Sequence, residues 1–211
     1  MIIPVRDRTV FVIDPAGCSL TRDQDSIVGY LRTHELQPLF IALTHGHFDH
    51  VSGLSEMIKA FPSCPIAIHK NDADCIGPTS SVRQSKSLEQ MGLIQFLPAV
   101  SNLPAATWYL QDGMTLDSII PDTLGSKSLS EWQVIHTPGH SGGSVCFFNE
   151  TEKILLSGDT VFFHSCGRTD LYGGSETDME ASLRKLMKKI PENVLVYPGH
   201  DTAGFLFGDN F

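Results

Sequence analysis

The segment Thr44–His50, with the sequence THGHFDH, constrains this chain more than any other, because it places three imidazoles and a carboxylate within six residues. It follows an apolar run, 39–43, that predicts a buried strand. Imidazole and carboxylate are good ligands for zinc and for divalent iron. Alternation along a strand does not explain so many ligand-type side chains in one place, and Gly46 offers the backbone freedom of a tight ligand loop. The segment therefore predicts a metal site at a strand end.

Three further apolar runs end in a turn and then in a ligand-type residue. Residues 132–135 precede His140, 154–156 precede Asp159, and 194–197 precede His200. Taken singly, each histidine could be a plain turn residue after Pro-Gly, and Asp159 could be a cap. Because α/β folds usually place their sites in the loops after strands, the common arrangement favours one shared site.

Composition limits the classes of protein that this chain can represent. Its 211 residues, 41% of them hydrophobic, suit one domain, and we expect a single domain over 1–211. The net charge of −9 argues against nucleic acid as a partner. No apolar run reaches the ~18 residues of a membrane span, and no signal peptide is evident. Five cysteines without a C-x-x-C pair fit a reducing cytoplasm.

Hydrophobic periodicity predicts an α/β chain. The predicted strands lie at 9–13, 39–43, 66–68, 94–97, 108–110, 114–119, 132–136, 144–148, 153–157 and 194–197. Predicted helices lie at 23–34, 53–60 and 178–190, and a further helix lies somewhere within 71–90. In the segment 178–190, apolar residues recur every three to four positions, as in an amphipathic helix.

Through these motifs, the sequence resembles the metallo-β-lactamase superfamily over nearly its whole length. The resemblance implies an α/β fold, the αβ/βα four-layer sandwich, with metals at one edge. It also implies two divalent metal ions as cofactors, with zinc as the first choice and iron or manganese as alternatives. The implied ligands of the first metal are His45, His47 and His140. The implied ligands of the second are Asp49, His50 and His200, and Asp159 would bridge the two.

Two dications a few ångströms apart lower the pKa of a shared water, so that a metal-bridging hydroxide exists at neutral pH. One metal can polarise a carbonyl and stabilise its oxyanion, and the other can stabilise the departing group. Asp49 is the predicted catalytic residue, which orients the hydroxide. Asp14, after the first predicted strand, has two interpretations: it accepts a hydrogen bond from a ligand imidazole, or it belongs to a plain Asp-Pro turn.

The segment Gly167–Gly174, GRTDLYGG, resembles the G-R-T-D segment of short glyoxalase II-like hydrolases. This resemblance implies hydrolysis of a small-molecule thioester such as S-lactoylglutathione, and Asp159 argues against a true β-lactamase. We expect no counterpart here of the C-terminal helical domain of full-length glyoxalase II. Arg168 and Tyr172 are the candidate substrate-binding residues. Arg168 would bind a substrate carboxylate or, alternatively, pair with Asp170.

Two other functions remain open at this point. The segment Cys166–Asp170, CGRTD, also resembles persulfide dioxygenases, which would use one iron held by His45, His140 and Asp159. Gly173 and Gly174 match the hydrolase branch better. A non-enzymatic metal-binding protein is the third alternative, although a complete ligand set argues against it. The sequence leaves the oligomeric state open.

Overall fold

The computed structural model describes residues 1–120 and 127–210. The chain divides into two compact units, Met1–Tyr109 and Leu110–Phe211. The expectation that residues 1–211 form a single domain stays a prediction.

The first unit contains a sheet whose five strands are hydrogen-bonded in chain order. The strands are β1 (Ile2–Arg6), β2 (Thr9–Ile13), β3 (Gln37–Ala42), β4 (Ile66–His69) and β5 (Trp108–Leu110), the last of which ends at the unit boundary. The α-helices are α1 (Ser26–Thr33), α2 (Phe48–Val51), α3 (Leu54–Ala60) and α4 (Ser80–Met91). Two 3-10 helices cover Lys70–Cys75 and Ile94–Val100.

The parallel pairing of β2 with β3 determines which residues meet at the end of this sheet. Ile13 lies opposite Ala42, and the backbone N–H of Asp14 donates to the carbonyl of Ala42 at 3.2 Å. Both strands are rich in buried branched and aromatic residues, as expected of strands covered on both faces. Asp14 and Thr44 therefore leave the sheet from the same edge.

An aliphatic core holds this sheet against its helices. Leu31 of α1, Leu54 of α3 and Leu88 of α4 are fully buried with Ile41 of β3. Full burial of such a side chain contributes about 1.5–3 kcal/mol relative to exposure. The loops that follow β2 and β3 are consequently anchored on a packed frame.

The second unit contains a mixed sheet in the order β12-β11-β8-β7-β6 and a short antiparallel ribbon. The sheet strands are β6 (Trp132–His136), β7 (Val145–Asn149), β8 (Ile154–Gly158), β11 (Leu195–Pro198) and β12 (Phe205–Leu206); the ribbon is β9 (Val161–Phe162) with β10 (Ser165–Cys166). The helices are α5 (Lys127–Ser130) and α6 (Glu176–Lys189). Two 3-10 helices cover Leu116–Ile119 and Phe207–Asp209.

Three loops of the second unit leave its sheet from one edge. Strands β8 and β11 are parallel, with Pro198 opposite Gly158, and the N–H of Gly199 donates to the carbonyl of Gly158 at 2.9 Å. Strand β6 runs in the same direction as β8, because both are antiparallel to β7. The loops that carry His140, Asp159 and His200 therefore begin side by side.

Helix α6 confirms the predicted amphipathic helix, with its start two residues earlier than expected. The hydroxyl of Ser175 accepts a hydrogen bond from the N–H of Asp178 at 3.2 Å and caps the helix. Acidic residues in its first turn and lysines in its last turn complement the helix dipole. In the described part of the chain, no helix combines the length and the apolar content that crossing a bilayer requires.

Two predicted strands are wrong. Residues 94–97 belong to the 3-10 helix Ile94–Val100, which contains Pro98, and residues 114–119 mostly form the 3-10 helix Leu116–Ile119. Short apolar runs have no period long enough to separate a strand from a helical turn. Strand β1 was not predicted, since Pro4 interrupts it and it lies at the sheet edge, where proline is tolerated.

Candidate metal centre

In the first unit, the loop after β3 carries four of the predicted ligands on a buried turn. His45, His47 and His50 are all buried. The ring of His45 lies 4.9 Å from that of His47 and 4.1 Å from that of His50, between centroids. A carboxylate oxygen of Asp49 lies 3.8 Å from Nε2 of His50. The structure therefore brings these four side chains together within the unit.

Asp14 supports this loop from the end of β2. Its Oδ1 accepts the backbone N–H of Thr44 at 2.7 Å. Its Oδ2 accepts the Thr44 hydroxyl at 2.6 Å and Nδ1–H of His50 at 2.9 Å. Of the two interpretations of Asp14, the structure thus supports the partner of an imidazole rather than a plain turn.

These contacts determine which ring nitrogen of His45 and His50 carries the proton. The single hydroxyl proton of Thr44 goes to Asp14, because an ionised carboxylate can only accept. Nδ1 of His45, which lies 3.0 Å from the Thr44 hydroxyl oxygen, must then be the donor. Both imidazoles are protonated at Nδ1, so Nε2 keeps the lone pair that binds a metal. One ligand atom each from Asp14, His45 and His50 lie within 4.8 Å of one another.

Two buried polar residues, which the sequence did not single out, hold the backbone of Gly46 between the first two histidines. Oδ2 of Asp72 accepts the N–H of Gly46 at 2.9 Å, and Nε2 of Gln84 donates to the carbonyl of Gly46 at 2.7 Å. Gln84 also donates to the carbonyl of Cys75 at 2.9 Å. The exposed fractions of Asp72 and Gln84 are 0% and 2%. A polar residue that ends up buried without belonging to any ligand motif leaves no pattern in a single sequence.

Gly46 is required for a different reason from the one expected. It does not have a positive φ, so backbone freedom is not the cause. A Cβ atom at this position would overlap the side chain of Cys75 and approach the carbonyl of Asp72 to 3.3 Å. Close packing of the ligand loop on the 3-10 helix Lys70–Cys75 therefore excludes any side chain here.

In the second unit, Asp159 lies between two imidazoles. Its Oδ2 is 3.5 Å from Nε2 of His140 and 3.6 Å from Nε2 of His200. Nδ1 of His140 lies 2.8 Å from the carbonyl oxygen of Arg168, to which it must donate, so its lone pair is also on Nε2. This is the arrangement expected around a bridging carboxylate, and the bridging role itself stays a prediction.

The glycine-rich segment passes directly over Asp159. A Cβ atom at Gly167 would overlap the carbonyl of Asp159, so only glycine fits there. Arg168 forms a bidentate ion pair with Asp170, with Nε–Oδ1 and Nη2–Oδ2 distances of 2.7 and 2.8 Å. The hydrogen bond from Arg168 lowers the pKa of Asp170 to about 2. Tyr172 is exposed, and substrate binding by Arg168 and Tyr172 stays a prediction.

The cysteines of the described chain are mostly small buried side chains. Cys18, Cys64, Cys75 and Cys146 are buried, and Cys166 is exposed. Burial raises the pKa of Cys64 to about 12 and that of Cys146 to about 11, and it also raises the pKa of Cys75. These thiols stay protonated at neutral pH.

The donor set of both units fits a divalent metal. Imidazole Nε2 atoms and carboxylate oxygens are borderline to hard ligands, which suit zinc, iron and manganese. Hydrogen bonds on Nδ1 of three histidines orient their lone pairs, as is usual for metal-bound imidazoles. The combination of all seven predicted ligands across the two units stays a prediction.

The similarity of this chain to known proteins agrees with a divalent metal site. The model of the metallo-β-lactamase superfamily matches residues 2–200, and the chain belongs to this superfamily of metal-dependent hydrolases. The match confirms the predicted fold class, the αβ/βα sandwich of that superfamily.

Two curated relatives are similar in sequence to most of this chain. The first is the probable metallo-hydrolase YqgX of Bacillus subtilis, 29% identical over 196 residues, which are 93% of this chain and 82% of the relative. The second is glyoxylase B2 of Dictyostelium discoideum, 29% identical over 191 residues, which are 88% of this chain and 57% of the relative.

Two solved structures are also similar to this chain in fold. TTHA1623 in a di-iron-bound form has a TM-score of 0.74 and 30% identity, covering 95% of this chain and 85% of that one. The BLEG-1 B3 metallo-β-lactamase has a TM-score of 0.79 and 29% identity, covering 99% and 88%. The histidine–aspartate cluster and the di-iron neighbour together support the binding of divalent metal, without identifying which metal.

Proposed function

We propose that this protein is a binuclear metallohydrolase that cleaves small-molecule thioesters such as S-lactoylglutathione. The observation that carries the proposal is the protonation pattern imposed by Asp14. It leaves Nε2 of both His45 and His50 as a lone-pair donor on one buried loop. Together with the pair of imidazoles around Asp159, it supplies ligands for more than one ion.

Two divalent ions, when bound, would supply the Lewis acidity that activates water and polarises a carbonyl. The residues of this chain would hold these ions and control the protons around them. His45, His47 and His140 would hold one ion, Asp49, His50 and His200 the other, and Asp159 both. Asp14 keeps a proton on Nδ1 of His50 directly, and on Nδ1 of His45 through Thr44.

Thioester hydrolysis adds the oxygen of water to the acyl carbon and breaks the carbon–sulfur bond. The sulfur leaves as a thiolate and takes up a proton, and the acyl group leaves as a carboxylic acid. Asp49, whose side chain is 34% exposed, would orient the attacking hydroxide. Arg168, which pairs with Asp170 in this structure, would exchange that partner for a substrate carboxylate.

Two observations favour thioesters over other substrates of the superfamily. The Gly167–Asp170 segment resembles that of glyoxalase II-like hydrolases, and its first glycine packs on Asp159. One relative is described as a glyoxylase. The similar structure of a B3 metallo-β-lactamase makes a β-lactam the comparison substrate that an assay must include.

A panel assay on metal-replete protein tests this function. Thiol release from S-lactoylglutathione and S-acetylglutathione would be measured beside hydrolysis of a cephalosporin and oxygen uptake with glutathione persulfide. Metal content would be determined on the same sample. Asp49→Asn serves as the inactive variant, and Asp25→Asn, at an exposed position on the N-terminal cap of α1, is the matched control.

We expect thioester turnover by protein that holds close to two metal ions per chain. This turnover should be retained in Asp25→Asn and lost in Asp49→Asn. Oxygen uptake with one iron per chain would instead assign a persulfide dioxygenase. Cephalosporin hydrolysis without thiol release would assign a β-lactamase. Full metal binding with no turnover of any substrate would leave a metal-binding protein.

A further inference from the structure

A small cavity within the first unit opens beside Asp49. Its volume is about 210 Å³, and its walls include Ala16 and Cys18 from the loop after β2, Phe48 from α2, and Phe96 from the second 3-10 helix. Since Asp49 also lines it, the cavity reaches the residue on which the proposed hydrolysis depends. Of the predicted site residues, only Asp49 lines this cavity.

Two aromatic rings make the cavity apolar. The rings of Phe48 and Phe96 lie 5.3 Å apart between centroids at an angle of 49°. Both side chains are half-buried and pack on the hydrophobic core of the first unit. Aromatic walls of this kind bind apolar groups by contact area, without a specific hydrogen-bonding partner.

The loop that forms the rim of the cavity is held by hydrogen bonds. The N–H of Gly17 donates to the hydroxyl of Ser52 at 3.1 Å, and the N–H of Gly53 donates to the carbonyl of Pro15 at 2.8 Å. The N–H of Cys18 donates to Oδ1 of Asp23 at 2.9 Å. The cavity is therefore preformed, so a ligand need not order the loop when it binds.

The charges around the cavity disfavour an anion. Among the described residues that line it, the charged side chains are the carboxylates of Asp23 and Asp49. Hydrogen bonds from Thr21 and from the Cys18 backbone lower the pKa of Asp23, so this carboxylate stays ionised at neutral pH. A carboxylate at the far end of a ligand would be repelled here.

We infer that this cavity is the acyl subsite of the enzyme and takes a short, uncharged, apolar acyl group. The inference rests on the proposed thioester hydrolysis and specifies its substrate class. A volume of about 210 Å³ is on the scale of an acyl chain of about four to six carbons. Butyryl and hexanoyl thioesters are thus preferred to acetyl and succinyl thioesters.

The first experiment detects binding without turnover. Metal-replete protein is titrated with 1-butanol, and with succinate for comparison, and followed by protein-observed NMR. We expect butanol to shift the signals of Phe48 and Phe96, and succinate to leave them unchanged. Ala16→Phe, which places a ring at the exposed edge of the cavity, should abolish the shifts. Leu20→Phe is the matched control, because Leu20 is exposed on the same loop and does not line the cavity.

The second experiment measures kcat/KM for acetyl, butyryl, hexanoyl and succinyl thioesters of one thiol. We expect a rise of about fourfold per added methylene until the cavity is full. Succinyl, of the same length as butyryl, should be at least about tenfold poorer. Phe96→Ala should move the optimum to longer chains, whereas Phe61→Ala, a matched truncation on the same core, should not.

The outcomes separate this inference from the proposed function. Absence of thioester turnover removes the proposed function, and the butanol titration still decides whether the cavity binds apolar groups. Turnover with no chain-length preference, or an equal response of the Phe96 and Phe61 variants, overturns the acyl subsite. Butanol shifts that survive in Ala16→Phe overturn it as well.

Discussion

Oδ2 of Asp14 accepts a hydrogen bond from Nδ1 of His50 at 2.9 Å, across 36 positions of sequence. The parallel register of β2 and β3 produces this contact, because Ile13 pairs with Ala42 and both strands end at the same edge. The carboxylate therefore orients an imidazole that α2 carries.

Asp14→Asn should weaken metal binding. The amide would place an N–H group where Oδ2 now accepts from Thr44 and His50, so one of the two histidine tautomers is lost. We expect a loss of about 10–100-fold in zinc affinity, measured by competition with a chromophoric chelator. Asp25→Asn should bind zinc as the wild type does. An unchanged affinity in Asp14→Asn would show that Asp14 does not orient the ligands.

Asp72→Leu should also reduce zinc affinity, by about tenfold, because it removes the acceptor for the N–H of Gly46. Asp72→Asn keeps an oxygen that can accept and should retain most of the affinity. At the next peptide group of the loop, Gln84→Glu places a carboxylate against the carbonyl of Gly46. Gln90→Glu makes the same change at an exposed position of α4 and should have no effect.

The absorption spectrum of the cobalt-substituted protein distinguishes positioning from general stability. If Asp72 positions the ligand loop, Asp72→Leu should alter the cobalt ligand-field bands even at saturating metal. A variant that is merely less stable would keep the wild-type spectrum once folded.

Gly46→Ala should destabilise the protein by roughly 1–3 kcal/mol, because the new methyl group overlaps the Cys75 side chain. Combining it with Cys75→Gly should recover part of this loss, and urea unfolding of the four proteins in this cycle gives the coupling free energy. Gly29→Ala is the control, since nothing lies within 4 Å of a Cβ there and alanine favours a helix. Additive effects at 46 and 75 would contradict the overlap.

Stability should fall above pH 9. Burial raises the pKa of Cys146 from 9.0 to about 11, so the unfolded chain releases a proton that the folded chain keeps in this range. The thiol has no effect on stability below about pH 9 and costs up to about 1.4 kcal/mol per pH unit between pH 9 and about 11. Urea midpoints of metal-free protein between pH 8 and 11 should decline less steeply in Cys146→Ala. Equal slopes would contradict this assignment.

A thiol reagent should modify one cysteine of the native protein quickly. Cys166 is exposed, whereas the other four thiols are buried. Native protein should therefore show one fast-reacting thiol with a chromogenic disulfide, and urea-unfolded protein should show five. Cys166→Ser should remove the fast phase, and its persistence in that variant would place the reactive thiol elsewhere.

The sequence predicted the strands that precede ligand residues well, because each combines an apolar run with a turn signal. The strand at Thr9–Ile13 and the strand at Trp132–His136 are confirmed with their bounds. The apolar segment around Phe96 was misassigned, since a short run fits a strand and a helical turn equally. That error also concealed the aromatic wall beside Asp49.

Tertiary contacts account for what the sequence did not reveal at the site. Asp72 and Gln84 come from elements that follow the ligand loop, and only the packed structure shows that both meet Gly46. The sequence also suggested the wrong reason for a glycine at position 46. Steric exclusion by Cys75 depends on the fold and not on the local chain.

The pairing of β2 with β3 determines where an inserted residue is tolerated and where it is not. Extra residues between Asp23 and Gln37 can be absorbed in the connection around α1 without moving Asp14 relative to Thr44. One extra residue inside β2 would instead turn Asp14 to the opposite face of the sheet. A search for distant relatives should accordingly allow any spacing between the aspartate and the histidine motif, but require the aspartate directly after its strand.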